Sequence, residues 1–207
     1  EYGLRAKPRE PAAFDAPQIG TFLHYLLENV TRDVLAQGGF AAVDNDRLHG
    51  LVRQYIDQYA AQELHNFQNR NARFQYLFRR LRNTAYAVID QVAEELRHSD
   101  FIPMAFELSF GGKDGTLPAV TISQPDGELR VGGKVDRVDG WIRDDKLFLR
   151  VVDYKSGKKK FDLANVRMGL DIQMLLYLFA LQKEGKRYFG REIEPAGVLY
   201  LPARDEI

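Results

Sequence analysis

The chain has 207 residues, 45% of them hydrophobic and 28% charged, which excludes a disordered polymer and fits one compact domain or a domain with an appended subdomain. Its 29 lysines and arginines balance 29 aspartates and glutamates, so no global basic excess is available to attract nucleic acid, and any such contact must be local. There is no cysteine, which excludes disulfides and thiolate metal sites within this stretch, and no apolar run approaches the roughly 18 residues needed to span a bilayer.

The start, with Pro8, Pro11 and Pro17 and mixed charge, reads as an extended lead-in, without a signal-peptide pattern. Asp15 or Ala16 caps a helix with Pro17 in its first turn. Ile19, Phe22, Leu23, Leu26, Leu27, Val30 and Val34 then repeat at helical spacing to about Leu35. Gly38-Gly39 ends that helix. A second is expected from about Asp44 to Asn66 and a third from about Asn71 to Arg97. At Phe101 the period changes to alternation. Strands are expected at 101–110, 118–123, 129–138 and 147–154, as a four-stranded meander, with a turn at Asp144-Asp145. A helix over 166–184 and a strand over 196–201 close the pattern. The class is α+β, an α/β/α-like sandwich with a mixed sheet. Residues 1–100 form a helical region and 101–207 a core, the whole expected to be a domain excised from a longer protein.

Two apolar strand runs each deliver an acid, Asp136 in Gly133-Lys134-Val135-Asp136-Arg137-Val138 and Asp153 in Val151-Val152-Asp153-Tyr154-Lys155. Positions i and i+2 of a strand share a face, so Asp153 and Lys155 sit side by side. If the two runs pair, Asp136 joins them. Carboxylates and an ammonium crowded on one face are costly unless a divalent cation belongs there. His24 lies beside the apolar stripe of the first helix and can offer a ring nitrogen, although boundary packing is the blander reading. Gln173 and Tyr177 form an i, i+4 pair that helix packing alone could also explain. Glu107 reads first as a salt-bridge residue, and Asp139 as a partner of Arg137. The run Lys155, Lys158, Lys159 and Lys160 is the densest basic patch, equally readable as a solvated loop. No P-loop, Gly-x-Gly-x-x-Gly, His-Glu-x-x-His or nucleophile elbow is present.

Taken in order, His24 within 19–24, Gly-Lys-Val-Asp-Arg-Val-Asp at 133–139, Val-Val-Asp-Tyr-Lys-Ser-Gly at 151–157 and Gln-Met-Leu-Leu-Tyr at 173–177 resemble the RecB-type branch of the PD-(D/E)XK nucleases. Within it they are most similar to the C-terminal nuclease domains of AddB-type subunits of AddAB helicase–nucleases. The resemblance implies Asp136, Asp153 and His24 as metal ligands for Mg²⁺ or Mn²⁺, with a main-chain carbonyl of Val152 or Tyr154 as an extra oxygen. It implies Lys155 as the catalytic lysine, orienting the attacking water or offsetting charge on the phosphorane. Gln173, Tyr177, Tyr154 and Lys158 would contact DNA or support the site. The implied substrate is single-stranded DNA at processed double-strand breaks, the implied partner an AddA-like helicase–nuclease, and the implied setting the bacterial cytoplasm at the nucleoid. The likeness also implies an iron–sulfur cluster in the full-length protein. No cysteine here can ligate one, so either flanking sequence carries the cysteines or this member lacks the cluster. A stand-alone RecB-type exonuclease, a non-catalytic DNA-binding or scaffold domain, and an unrelated α+β module with structural charges remain open readings.

Overall fold

A computed structural model describes residues 16–63, 72–111, 115–124, 127–155, 163–168 and 172–202. They fall into two compact units that divide between Asp90 and Gln91.

The first unit is helical. α1 (Ala16–Ala36), α2 (Asn45–Glu63) and most of α3 (Ala72–Arg97) follow the expected spans closely. Phe22, Leu23, Leu26, Leu27, Val30 and Val34 of α1 are all buried, as are Leu48, Leu51, Val52 and Ile56 of α2 and Phe74, Phe78 and Leu81 of α3. Each such side chain is worth roughly 1.5–3 kcal/mol on full burial. Aromatic rings lock the layer, with Phe22 edge-on to Tyr59 at 5.0 Å and to Phe78 at 6.2 Å.

The Tyr55 hydroxyl donates to Asp33 Oδ2 at 2.8 Å. Burial, and then that bond to Asp33, pushes the phenol up to about 12 from an ordinary 10.0. A folded-state value above the unfolded one means the native fold holds this proton more tightly. The stabilisation is therefore complete below about pH 10 and is lost as pH rises through about 12. In an ultraviolet phenolate titration, Tyr55→Phe is expected to delete one late-ionising tyrosine, and Asp33→Asn to bring that tyrosine earlier. An unchanged late phase in both variants would contradict this.

The second unit is built on β1 (Ile102–Phe110), β2 (Val120–Gln124), β3 (Gly127–Val131), β4 (Gly133–Arg143), β5 (Lys146–Lys155) and β6 (Ile193–Pro202). Two expectations are corrected. The strand read as 129–138 is two strands separated at Gly132, and the four-stranded meander does not exist. Instead β2 and β3 form a hairpin of their own, while the main sheet has the order β1-β4-β5-β6. The glycine pair 132–133 offers no side chains to carry an alternating face through, so the run breaks there. The helix read as 166–184 is also divided, into α4 (Leu163–Arg167) and α5 (Gln173–Glu184), and a short α6 (Lys186–Phe189) follows.

β4 and β5 form an antiparallel hairpin closed by Asp144-Asp145, with Arg143 paired to Lys146. Both loop residues have positive φ, 48° and 64°, as a two-residue hairpin turn with the proper twist demands. β6 runs parallel to β5, which requires a crossover, and α4 to α6 fall in that connection. α5 packs on one face of the sheet, where Met174, Tyr177, Leu178 and Leu181 join Leu147, Leu149, Val151 and Val138 in one apolar cluster.

Candidate metal centre and active site

The ladder between β4 and β5 pairs Arg137 with Val152, so the next step sets Asp136 opposite Asp153. Between β1 and β4, the pairs Phe106–Arg137 and Leu108–Val135 bracket Glu107 opposite Asp136. Three acids therefore stand side by side on three adjacent strands. A carboxylate oxygen of Glu107 lies within 4.8 Å of one of Asp136.

The backbone turns over at this point. Ala105 and Val138 belong to the apolar cluster, and so do Leu108 and Val135, three residues away along either strand. Strict alternation cannot put residues an odd number apart on one face. Glu107 resolves the conflict with a left-handed backbone, φ 51°. For a non-glycine residue that costs about 1 kcal/mol or more, and such strain collects at functional sites. Glu107 also forms the ion pair expected of it, with Lys134. Its place across from Asp136 was not legible, because no residue type in the sequence signals a left-handed glutamate.

Lys155 Nζ lies 2.5 Å from Asp153 Oδ2, the neighbour relation that i, i+2 spacing requires. That oxygen is buried and has no hydrogen bond, so the contact is one of charge without hydrogen-bond direction. Asp136 Oδ2 accepts the backbone N–H of Tyr154 at 2.8 Å. The acid on β4 thus grips β5 midway between Asp153 and Lys155. Hard carboxylate oxygens, one of them buried without a hydrogen bond, suit Mg²⁺ or Mn²⁺.

The opposite face carries a buried ion network. Arg137 is fully buried and donates to Asp139 through Nε at 2.7 Å and Nη2 at 3.0 Å, and to the Tyr154 hydroxyl through Nη1 at 2.9 Å. Arg150 donates to the same Asp139 at 2.9 Å and to Glu95 of α3 at 2.5 Å. The expected Arg137–Asp139 pair is therefore present. Burial alone would lower the Arg137 guanidinium, but Tyr154, Asp139 and Glu95 outweigh it and hold the group above its ordinary value. Burial pushes the Tyr154 phenol up to about 12 against the pull of Arg137. With its ring in this network, Tyr154 fits support of the site and not contact with DNA.

Gln173 Nε2 donates to the Tyr177 hydroxyl at 2.7 Å, so the i, i+4 pair is real. The Tyr177 ring is stacked on Phe110 at 5.7 Å and lies over Gly133, at the head of the strand that bears Asp136. A Cβ on Gly133 would overlap the Tyr177 hydroxyl and come within 2.6 Å of its Cζ. Gly133→Ala is expected to cost about 1–3 kcal/mol by overpacking. Chemical denaturation measures it, and a wild-type midpoint would refute the fit. His24 is half-buried on α1. Lys158 lies outside the described residues, as do Lys159 and Lys160. His49, which is no part of the expected site, bonds Asp90 at 2.7 Å.

The sequence profile of the PD-(D/E)XK nuclease superfamily matches residues 1–207. Three relatives are named as a subunit of an ATP-dependent helicase/deoxyribonuclease. The protein from Acetivibrio thermocellus is 34% identical over the whole of this chain. Those from Exiguobacterium sibiricum and Clostridium tetani are 32% and 31% identical over 99% and 100% of it. The chain spans 18% of the length of each.

Proposed function

The chain belongs to the PD-(D/E)XK nuclease superfamily, and from that premise we propose that it is a metal-dependent deoxyribonuclease that hydrolyses phosphodiester bonds of single-stranded DNA. The observation that carries this reading is the row Glu107, Asp136 and Asp153 on neighbouring strands with Lys155 paired to the last acid. Mg²⁺ or Mn²⁺ is held by Asp136, Asp153 and His24, with Glu107 as a further acid at the site. When bound, the cation supplies Lewis acidity toward water and phosphate.

The chain's own groups do the rest. Asp136, by accepting the Tyr154 N–H, fixes the spacing of Asp153 and Lys155. The Lys155 ammonium orients the attacking water or offsets the charge that develops on phosphorus. Gln173 and Tyr177 support the strand that carries Asp136. The relatives' name, a helicase/deoxyribonuclease component, supports a role in processing double-strand breaks for recombinational repair, beside an AddA-like partner in the bacterial cytoplasm.

The test is a cleavage assay on labelled single-stranded DNA. Hydrolysis is expected with Mg²⁺ or Mn²⁺ and should stop on chelation. DNA bound but left intact with either metal would instead mark a non-catalytic binding domain.

A further inference from the structure

The first half of α3 carries Arg73, Arg79, Arg80 and Arg82, and no acid occurs on this helix before Asp90. Its buried residues, Phe74, Phe78, Leu81 and Ala85, define one stripe. At 3.6 residues per turn, Arg73, Tyr76, Arg79, Arg80 and Asn83 fall within about a third of the circumference on the far side. All five are exposed, and Tyr76 presents 52% of its surface. Among the described residues Arg73, Arg79 and Arg80 form no ion pair, so their charge is not spent on intramolecular partners. In a chain whose net charge is zero, this is a concentrated basic face.

We infer that this exposed face of α3 is a binding surface for the backbone of single-stranded DNA, with Tyr76 as a stacking platform for a base. The inference deepens the nuclease reading and rests on it for the identity of the polyanion. Arginines around an exposed aromatic ring match what a single strand offers: phosphates for the guanidinium groups and an unpaired base face for the ring. From Arg73 to Arg80 the helix rises roughly 10 Å, on the order of three nucleotides at 3.4 Å each. An acidic protein surface would satisfy the arginines but gives no reason for the ring among them.

The experiment measures binding of the whole 207-residue chain to a fluorescent single-stranded oligonucleotide at several salt concentrations. It is done without divalent metal, so that a failure of the catalytic reading leaves it interpretable. The variants are Arg73→Ala/Arg79→Ala/Arg80→Ala, the same three positions changed to lysine, and Tyr76→Ala, each checked for retained helicity. The triple alanine variant should bind at least about tenfold more weakly, and its slope of log affinity against log salt should be shallower by about 2. The lysine variant should keep the slope. Tyr76→Ala should lose about tenfold with the slope unchanged. Wild-type affinity and slope in the triple alanine variant, or full affinity in Tyr76→Ala, would overturn the inference.

Discussion

Asp153→Asn is expected to reduce DNA hydrolysis by about a thousandfold or more while leaving the melting temperature close to that of the unmodified protein. The two halves of this expectation have separate causes. Asn keeps the size and shape of the side chain but removes the anion that pairs with Lys155 and faces Asp136. Lewis-acid stabilisation of a phosphoryl transition state is worth several kcal/mol, and each 1.36 kcal/mol is about tenfold in rate. The fold loses little, because the buried Asp153 Oδ2 makes no hydrogen bond whose removal would cost stability. Single-turnover cleavage in Mg²⁺, beside a thermal melt, tests both halves. Undiminished cutting by this variant would remove Asp153 from the chemistry.

Asp139→Ala should do the reverse and damage the fold first. Its carboxylate receives Arg137 and Arg150 together, with both Asp139 and Arg137 fully buried. Removing one member of a buried pair strands the other, at a cost of about 3–5 kcal/mol. Glu95, at 3.5 Å from Arg137, is a weak substitute. Denaturant unfolding should show the loss as a lower midpoint. A Glu95→Gln variant should be milder, since Asp139 still satisfies both arginines. A change below about 1 kcal/mol for Asp139→Ala would mean that Arg137 finds water or another acceptor.

Both predictions draw on sequence features of unequal legibility. The helices could be read because their apolar residues recur at 3.6, and the Asp144-Asp145 turn because few residue pairs tolerate positive φ twice. Asp153 and Lys155 could be read because i, i+2 spacing has only one meaning on a strand. The break at Gly132 was hidden by continuous β propensity on either side. The pairing of β6 with β5 was hidden by its range, since parallel partners are never adjacent in sequence. Glu107 escaped for a conformational reason and the arginines of α3 for a statistical one. Reading for an apolar stripe attends to the buried side, and a balanced total charge conceals a local excess.

The parallel β6 has a consequence for the biosynthesis of this protein. Its ladder backs β5 as far as Asp153–Tyr200 and Lys155–Pro202. The acids and the lysine leave the ribosome with β4 and β5, but the other edge of β5 stays open until β6 has been translated and has folded back across the connection. Long-range pairing of this kind is the slow step of assembly. A half-made polypeptide thus holds its cutting residues on an unfinished support, and the cell's own DNA is spared until synthesis of this segment is done.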